Sequence, residues 1–224
     1  MKILAIDSAG LACTAGVWRD GTLSAHESAA MAQGHAEALM PMIERVMARA
    51  ALTYAALDRI AVCVGPGSFT GVRVGIATAR GLGLAADVPV IGVSATEIFA
   101  AMVHAGERRS DRKILAAVDS KRGDVFAQLF DADAQALNKI EVVALDRLAA
   151  WCGGGSVVVV GDGAALAVKA LGSAAVTSSA GSSCDPAVIA EIASTRPPDP
   201  RGALPVYGRA PDVTLRADGG LLRP

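Results

Sequence analysis

A candidate ligand-binding loop follows directly after a predicted strand. The apolar residues 60–64 stop at Gly-Pro-Gly (65–67), and the hydroxyls of Ser68 and Thr70 can cap a helix predicted to reach about residue 86. Such a turn leaves several backbone N–H groups unpaired at one place, and these can bind an anion. The loop lacks the Lys-Ser/Thr pair of a Walker loop and the glycine spacing of a dinucleotide fingerprint. A turn that binds nothing is therefore an equal alternative.

Two carboxylates, Asp7 and Asp119, end strands at equivalent places in the two halves of the chain. The sequence LAIDS, ending at Ser8, recurs as AAVDS, ending at Ser120. Each copy leads through a turn into two more predicted strands, at 13–18 and 23–27 in the first half and at 125–130 and 139–143 in the second. The aspartates could hold Mg²⁺ between two lobes, but capping of their own turns is the interpretation that we favour. The repeat predicts two α/β lobes of one plan.

Two predicted helices, 35–50 and 69–86, carry patterns typical of close helix contact. The second has Gly71, Gly75, Ala79 and Gly83 spaced by four, although each glycine costs roughly 0.8–1 kcal/mol relative to alanine. The first has an apolar face, and four of the six methionines (31, 40, 42 and 47) fall within it or shortly before it. Pro41 predicts that this helix starts near Met40 or is kinked there. The stripe does not reveal whether its neighbour is in the same subunit. We predict a partner interface at Leu39, Met42, Ile43, Val46, Gly71, Val72, Gly75, Ile76 and Ala79.

Composition excludes several classes of protein. The 224 residues carry a net charge of −1, which gives no field that attracts nucleic acid. No apolar run approaches the ~18 residues of a membrane span, and the first residues are not typical of a signal peptide because an acid follows six residues in. Four scattered cysteines, none paired at metal-ligand spacing, indicate a reduced, cytoplasmic protein and no metal site.

Six segments in order resemble the TsaB (YeaZ) family. They are 1–8 (MKILAIDS), 35–43 (HAEALMPMI), 65–75 (GPGSFTGVRVG), 91–94 (IGVS), 119–126 (DSKRGDVF) and 205–209 (PVYGR). The strand–Asp–turn–strand openings and the glycine turn at 161–163 are also similar to the wider actin, Hsp70 and sugar-kinase (ASKHA) superfamily, in which such turns hold ATP phosphates. The resemblance implies a two-lobed α/β fold of mixed sheets covered by helices.

The resemblance also implies a function. Family members are subunits of the machinery that places N6-threonylcarbamoyl on adenosine 37 of tRNA; they pair with a catalytic paralogue, TsaD, and an ATPase, TsaE, joins the pair. They also form homodimers through the two helices described above. The chain is then a non-catalytic scaffold that meets tRNA only through the complex and has no membrane partner.

The expected site has no catalytic residue and no metal. The catalytic paralogue carries His-x-x-x-His on the helix that corresponds to 35–50, whereas His35 is followed four positions later by Leu39, and His26 and His104 lie in a predicted strand and helix. This argues against the alternative of a glycoprotease-like metallopeptidase. A second alternative, an ATP-binding enzyme of the sugar-kinase type, needs a Gly-Thr/Ser pattern after Asp7 that is not present.

We expect Asp7, Ser8, Asp119 and Gly161 to be vestigial phosphate turns. No cofactor is then tightly bound, and ATP or ADP binds at most weakly or at the interface of the complex. The predicted lobes are 1–105 and 106–210, with residues 205–209 extended against the second lobe and 211–224 a loose tail.

Overall fold

Ten strands and six α-helices make up residues 1–208, the part of the chain that this computed structural model describes. The first half contains β1 (Lys2–Asp7), β2 (Ala12–Arg19), β3 (Thr22–Ala30), α1 (His35–Arg49), β4 (Arg59–Cys63), α2 (Phe69–Ala86), β5 (Val90–Val93) and α3 (Ala95–Met102). The second contains β6 (Arg112–Asp119), β7 (Asp124–Phe130), β8 (Glu141–Ala144), α4 (Leu148–Trp151), β9 (Ser156–Val160), α5 (Ala164–Leu171), β10 (Ala175–Thr177) and α6 (Pro186–Thr195).

The two halves have the same topology. The strand orders are β3-β2-β1-β4-β5 and β8-β7-β6-β9-β10. In each sheet the first strand pairs antiparallel with the second and parallel with the fourth, as when Leu4 aligns with Val17 on one side and Ile60 on the other. A helix joins strands three and four, four and five, and follows strand five in both halves. The duplication predicted from the LAIDS and AAVDS repeat is confirmed.

The last helix of each half crosses to the other half. Helices α1 and α2 pack together on one face of the first sheet, and α6 covers the opposite face through β1, β2 and β4. Helix α3 follows the first sheet but packs on β6 and on α6, so it lies between the two sheets. Helices α4 and α5 cover the outer face of the second sheet. One continuous apolar core therefore spans both lobes, and a smaller one lies under α4 and α5.

Local sequence signals explain where the helices begin. Ser68 caps α2 by accepting a hydrogen bond from the backbone N–H of Gly71. Ser94 and Glu97 form a reciprocal capping box at the start of α3, a pairing that satisfies two otherwise unpaired donors. Helix α1 is continuous from His35 and contains Pro41, so the predicted start near Met40 is wrong.

Part of the predicted second lobe, 106–210, packs on the first lobe. Helix α6 packs on the first sheet, and the Val206 N–H donates to the Val64 carbonyl at 2.9 Å, next to the end of β4. Residues 205–207 therefore lie on the first lobe and not on the second as predicted, although Gly208 approaches Phe126 of β7. His104 lies just after α3 and not within a helix. Arg209 and the predicted tail at 211–224 lie outside the described residues.

Candidate functional site

The turn after β1 packs directly against the start of α2. The Ser8 hydroxyl donates to the Gly71 carbonyl at 2.8 Å, and the Ser68 N–H donates to the Ala9 carbonyl at 2.7 Å. The Gly71 N–H is itself held by the Ser68 hydroxyl at 3.2 Å. Two of the N–H groups that could have bound an anion are thus used by the chain's own turn. This geometry favours the tight turn over the anion site.

The same contact explains the glycines. A Cβ atom at Gly71 would overlap the Ser8 carbonyl oxygen, and one at Gly67 would overlap the carbonyl oxygen of Ala9. A Cβ at Gly75 would lie 2.8 Å from the Ser8 hydroxyl oxygen, and one at Gly83 would lie 2.8 Å from the Val88 carbonyl oxygen. The close neighbour of the small-residue stripe is therefore the protein's own first lobe.

The second lobe repeats this arrangement. A Cβ at Gly161 would overlap the Ala117 carbonyl oxygen, and one at Gly163 would lie 2.9 Å from the Asp119 backbone nitrogen. The Gly163 N–H donates to Ala117 at 3.0 Å, and Asp162 accepts from the Asp119 N–H at 2.9 Å. In both lobes the glycine turn after strand four lies against the end of strand one.

Both strand-end aspartates cap their own turns. Asp7 accepts from the Ala9 N–H at 2.8 Å, and it is 2% exposed, so burial raises the pKa of its carboxyl. Asp119 accepts from the Lys121 N–H at 2.7 Å and pairs with its ammonium at 2.9 Å. Partial burial would raise the pKa of Asp119, but the hydrogen bonds and charge of Lys121 hold it below its usual value. The capping interpretation fits these contacts better than shared Mg²⁺ coordination.

A small cavity lies between the turn after Asp7 and the glycine turn at 161–163. Asp7, Pro66, Phe99, Asp162 and Cys184 line this cavity, which has a volume of about 10 Å³. That volume suits about one water molecule, whereas sites for small organic ligands are typically about 300–1,000 Å³. A cavity of about 270 Å³ lies elsewhere, between the end of β5 and the segment 196–206. The cavity that the described residues form beside the Asp7 turn is thus far smaller than a nucleotide site.

The nine residues predicted as a partner interface lie inside the lobe. Each is buried, with Leu39, Ile43 and Val46 fully inaccessible, because they face the first sheet or the Ser8 turn. In the single chain these side chains are therefore not exposed to a partner, and their role in a partner interface stays a prediction. The buried set is Leu39, Met42, Ile43, Val46, Gly71, Val72, Gly75, Ile76 and Ala79.

The outer face of α2 is the exposed apolar surface on these helices. Phe69 is 58% and Leu84 is 88% exposed, and Ala77 lies between them on the same side. A Cβ at Gly81 would contact nothing within 4 Å. The guanidinium of Arg73 lies 3.5 Å above the Phe69 ring and donates to the Tyr207 hydroxyl at 3.0 Å. We define the α2 outer face as Phe69, Arg73, Ala77, Gly81 and Leu84.

Asp7 belongs to a buried cluster of potential metal ligands that the sequence did not predict. Potential ligand atoms of Asp7, Cys63 and Cys184 all lie within 4.8 Å of one another. Burial raises the pKa of Asp7, and the hydrogen bond with Cys63, together with burial, raises that of Cys184 well above its usual value. Cysteine spacing could not reveal this cluster, because Cys63 ends β4 whereas Cys184 precedes α6.

The cluster of potential metal ligands includes no histidine among the described residues. His35 is the first residue of α1, and its Nε2 atom is buried without a hydrogen-bond partner. No helix of this described part has both the length and the apolar composition needed to cross a bilayer.

Comparisons with known proteins agree with the resemblance seen in the sequence. A family model described as TsaD, tRNA N6-adenosine threonylcarbamoyltransferase, matches residues 28–179. The chain is 37% identical over 133 residues to the tRNA threonylcarbamoyladenosine biosynthesis protein TsaB of Escherichia coli, covering 59% of this chain and 56% of that protein. It is 33% identical over 126 residues to TsaB of Haemophilus influenzae, covering 56% and 52%. The chain thus spans little more than half the length of these curated relatives.

A solved structure extends the likeness over nearly the whole chain. YeaZ from Pseudomonas aeruginosa superposes with a TM-score of 0.74 at 25% identity, covering 92% of this chain and 99% of that one. Together with the duplicated mixed sheets, this likeness confirms the predicted two-lobed fold of the ASKHA type.

Proposed function

This chain belongs to the TsaD family of tRNA N6-adenosine threonylcarbamoyltransferases and, within it, to the TsaB (YeaZ) branch, and we propose that it acts as a non-catalytic subunit of the machinery that makes threonylcarbamoyladenosine in tRNA. Its role is to bind and support a catalytic TsaD-type paralogue that modifies position 37. The observation that carries the proposal is the similarity of this chain to proteins named for this pathway. The small volume of the cavity between the Asp7 turn and Asp162 agrees with it.

The geometry of the strand-end turns supports the non-catalytic role. The Ser8 hydroxyl is held by the Gly71 carbonyl and the Asp119 N–H by the Asp162 carboxylate, so these groups are already used within their own lobes. The proposed subunit therefore binds no nucleotide tightly by itself, and ATP or ADP associates only weakly or at the interface of the complex. Asp7, Ser8, Asp119 and Gly161 are then remnants of phosphate turns whose backbone groups now hold the fold together.

The α2 outer face supports the partner role. Phe69 and Leu84 are two large apolar side chains exposed on one helix, and Ala77 and Gly81 between them permit close approach of another helix. We propose that this face, with the adjoining exposed side of α1, binds the catalytic paralogue. The isolated chain forms homodimers through the same face, so the two kinds of dimer compete.

Further partners follow from the complex. A TsaE-type ATPase joins the pair, and tRNA reaches this subunit only through the assembly, since a net charge of −1 gives no electrostatic attraction for RNA. The proposal places the protein in the cytoplasm, where it has no membrane partner.

Reconstitution tests this function. Unmodified tRNA is incubated with threonylcarbamoyl-adenylate, the ATPase and the catalytic paralogue, with and without this chain, and the modified nucleoside is quantified by mass spectrometry. We expect modification only when both the paralogue and this chain are present. Modification by this chain without the paralogue would refute the non-catalytic role, and an undiminished rate without this chain would refute the supporting role.

A further inference from the structure

Three potential metal ligands from distant parts of the sequence meet at one buried point. Asp7 is the last residue of β1, Cys63 is the last residue of β4, and Cys184 lies in the segment before α6. They are 2%, 1% and 6% exposed, and one ligand atom from each lies within 4.8 Å of the other two. We call these three residues the Asp–Cys–Cys cluster.

The spacing is close to that of a tetrahedral metal site. Zinc binds thiolate sulfur at about 2.3 Å and carboxylate oxygen at about 2.0–2.2 Å, so ligand atoms at a tetrahedral centre lie about 3.5–3.8 Å apart. Contraction of the cluster by about 1.0–1.3 Å from its upper limit of 4.8 Å reaches that geometry. Shifts of this size need small side-chain rotations and no rearrangement of the strands.

The acidic groups of the cluster bond mainly to one another. Asp7 accepts hydrogen bonds from the Ala9 N–H and from the Cys63 and Cys184 thiols, and the charge of His35 also favours its ionised form. Within residues 1–208, no ion pair joins Asp7 to a lysine or arginine. Buried ionised groups are costly unless they are paired or coordinate a metal. A divalent cation would supply the missing positive charge.

We propose that Asp7, Cys63 and Cys184 bind one thiophilic divalent cation, with Zn²⁺ as the natural occupant and Cd²⁺ as its analogue. Two thiolates select such a cation over the harder Mg²⁺ and Ca²⁺. The small cavity beside Asp7 and Cys184 has room for about one water, which completes a four-coordinate centre. This site is separate from the proposed partner surface and does not depend on the proposed function.

Metal binding at this cluster releases protons. One Zn²⁺ displaces the two thiol protons and, where Asp7 is protonated, the carboxyl proton, so that two or three H⁺ leave as the three ligand bonds form. The bound centre carries a net charge of −1. The cation joins the ends of β1 and β4 to the segment before α6, so it fastens the crossing helix to the first sheet.

Metal binding is tested on the full chain, stripped with a chelator under a phosphine reductant. Cd²⁺ is titrated while thiolate-to-metal charge-transfer absorption is recorded, and Zn²⁺ per chain is measured by mass spectrometry after equilibrium dialysis. We expect one metal per chain, a charge-transfer band of two thiolates and a higher Tm in the presence of Zn²⁺, because a ligand that binds only the folded state stabilises it.

Variants identify the ligands. Cys63→Ser and Cys184→Ser should each weaken Zn²⁺ binding at least tenfold, and Asp7→Asn should weaken it less. Cys152→Ser is the matched control, since Cys152 is equally buried but lies in the smaller core of the second lobe. Circular dichroism checks that each variant is folded.

Two results would overturn the proposal. One is the absence of stoichiometric Zn²⁺ and of the charge-transfer band in the folded wild-type protein. The other is binding that persists unchanged in folded Cys63→Ser and Cys184→Ser proteins. Either would make the cluster a set of buried thiols that pack around a turn-capping carboxyl.

Discussion

Replacement of Gly71 by alanine tests whether the small-residue stripe of α2 serves the fold or a partner. A Cβ at this position would lie 3.0 Å from the Ser8 carbonyl carbon and would overlap its oxygen, so the β1 turn or the helix must move. Overpacking of this kind typically costs 1–3 kcal/mol. Disturbing the hydrogen bond from the Ser8 hydroxyl to the Gly71 carbonyl adds about 0.5–1.5 kcal/mol. Alanine returns at most about 1 kcal/mol of helix propensity, so we expect a net loss of about 1–3 kcal/mol.

Gly81 in the same helix is the matched control. A Cβ there would meet no atom within 4 Å, and the residue is exposed, so only the helix propensity changes. Gly81→Ala should therefore stabilise the chain by about 0.8–1 kcal/mol. For a protein of about this size, 1 kcal/mol corresponds to roughly 2–4 °C in Tm. We expect Gly71→Ala to lower the Tm by about 2–12 °C and Gly81→Ala to raise it by about 2–4 °C.

Thermal and urea unfolding, followed by circular dichroism, measure both changes, and light scattering measures self-association at the same time. If Gly71→Ala were as stable as Gly81→Ala but associated more weakly, the stripe would face a partner and the intralobe packing described above would be refuted. Gly75→Leu would not separate these roles, because a Cβ at Gly75 would lie 2.8 Å from the Ser8 hydroxyl oxygen and so would disturb the fold as well.

Three further outcomes are expected. Leu84→Glu should weaken both homodimer formation and binding of the paralogue at least tenfold, or about 1.4 kcal/mol, as measured by calorimetry. Leu137 is exposed on the second lobe, so the control Leu137→Glu should leave both affinities unchanged. If the two variants had equal effects, the interface would not lie on α2. Asp119→Asn should lower the free energy of unfolding by about 1 kcal/mol without changing ATP affinity, and loss of tight ATP binding would contradict this. Burial would raise the pKa of Glu97, but the hydrogen bonds that it accepts and the Arg196 guanidinium hold it below its usual 4.5. The stabilisation from ionised Glu97 is therefore present above pH 4.5 and is lost as the pH falls further. Glu97→Gln should lower the free energy of unfolding by about 0.5–1 kcal/mol at pH 7 and should make this free energy, measured by urea unfolding, fall less steeply at acid pH. An unchanged pH dependence would exclude this role for Glu97.

The elements were predictable because their signals are local. Glycines and apolar periodicity placed a helix at 35–50 and a strand at 60–64, and the structure has His35–Arg49 and Arg59–Cys63. The LAIDS and AAVDS repeat predicted two equivalent sheets, because a repeated strand–turn–strand opening implies the same pairing in each half.

The neighbours of each element were not predictable in the same way. Spacing by four shows that α2 needs a close neighbour, but a backbone from the same lobe and one from another subunit impose the same sequence pattern. Likewise Cys63 and Cys184 meet only because α6 returns to the first sheet, a crossing that leaves no local signal. Tyr207 contacts Arg73 because the segment after α6 also returns to the first lobe, and this return leaves no local signal either.

The duplication itself argues for the side on which a partner binds. The two sheets have the same number of strands and the same order, yet α1 and α2 contain 15 and 18 residues whereas their equivalents α4 and α5 contain 4 and 8. Since the short pair suffices to cover the second sheet, covering the first sheet does not require helices of that length. The extra length of α2 carries the exposed Leu84 at its far end and begins with the exposed Phe69. Helices that exceed what their own lobe needs, with apolar side chains exposed at both ends, favour the first lobe as the surface that binds another subunit.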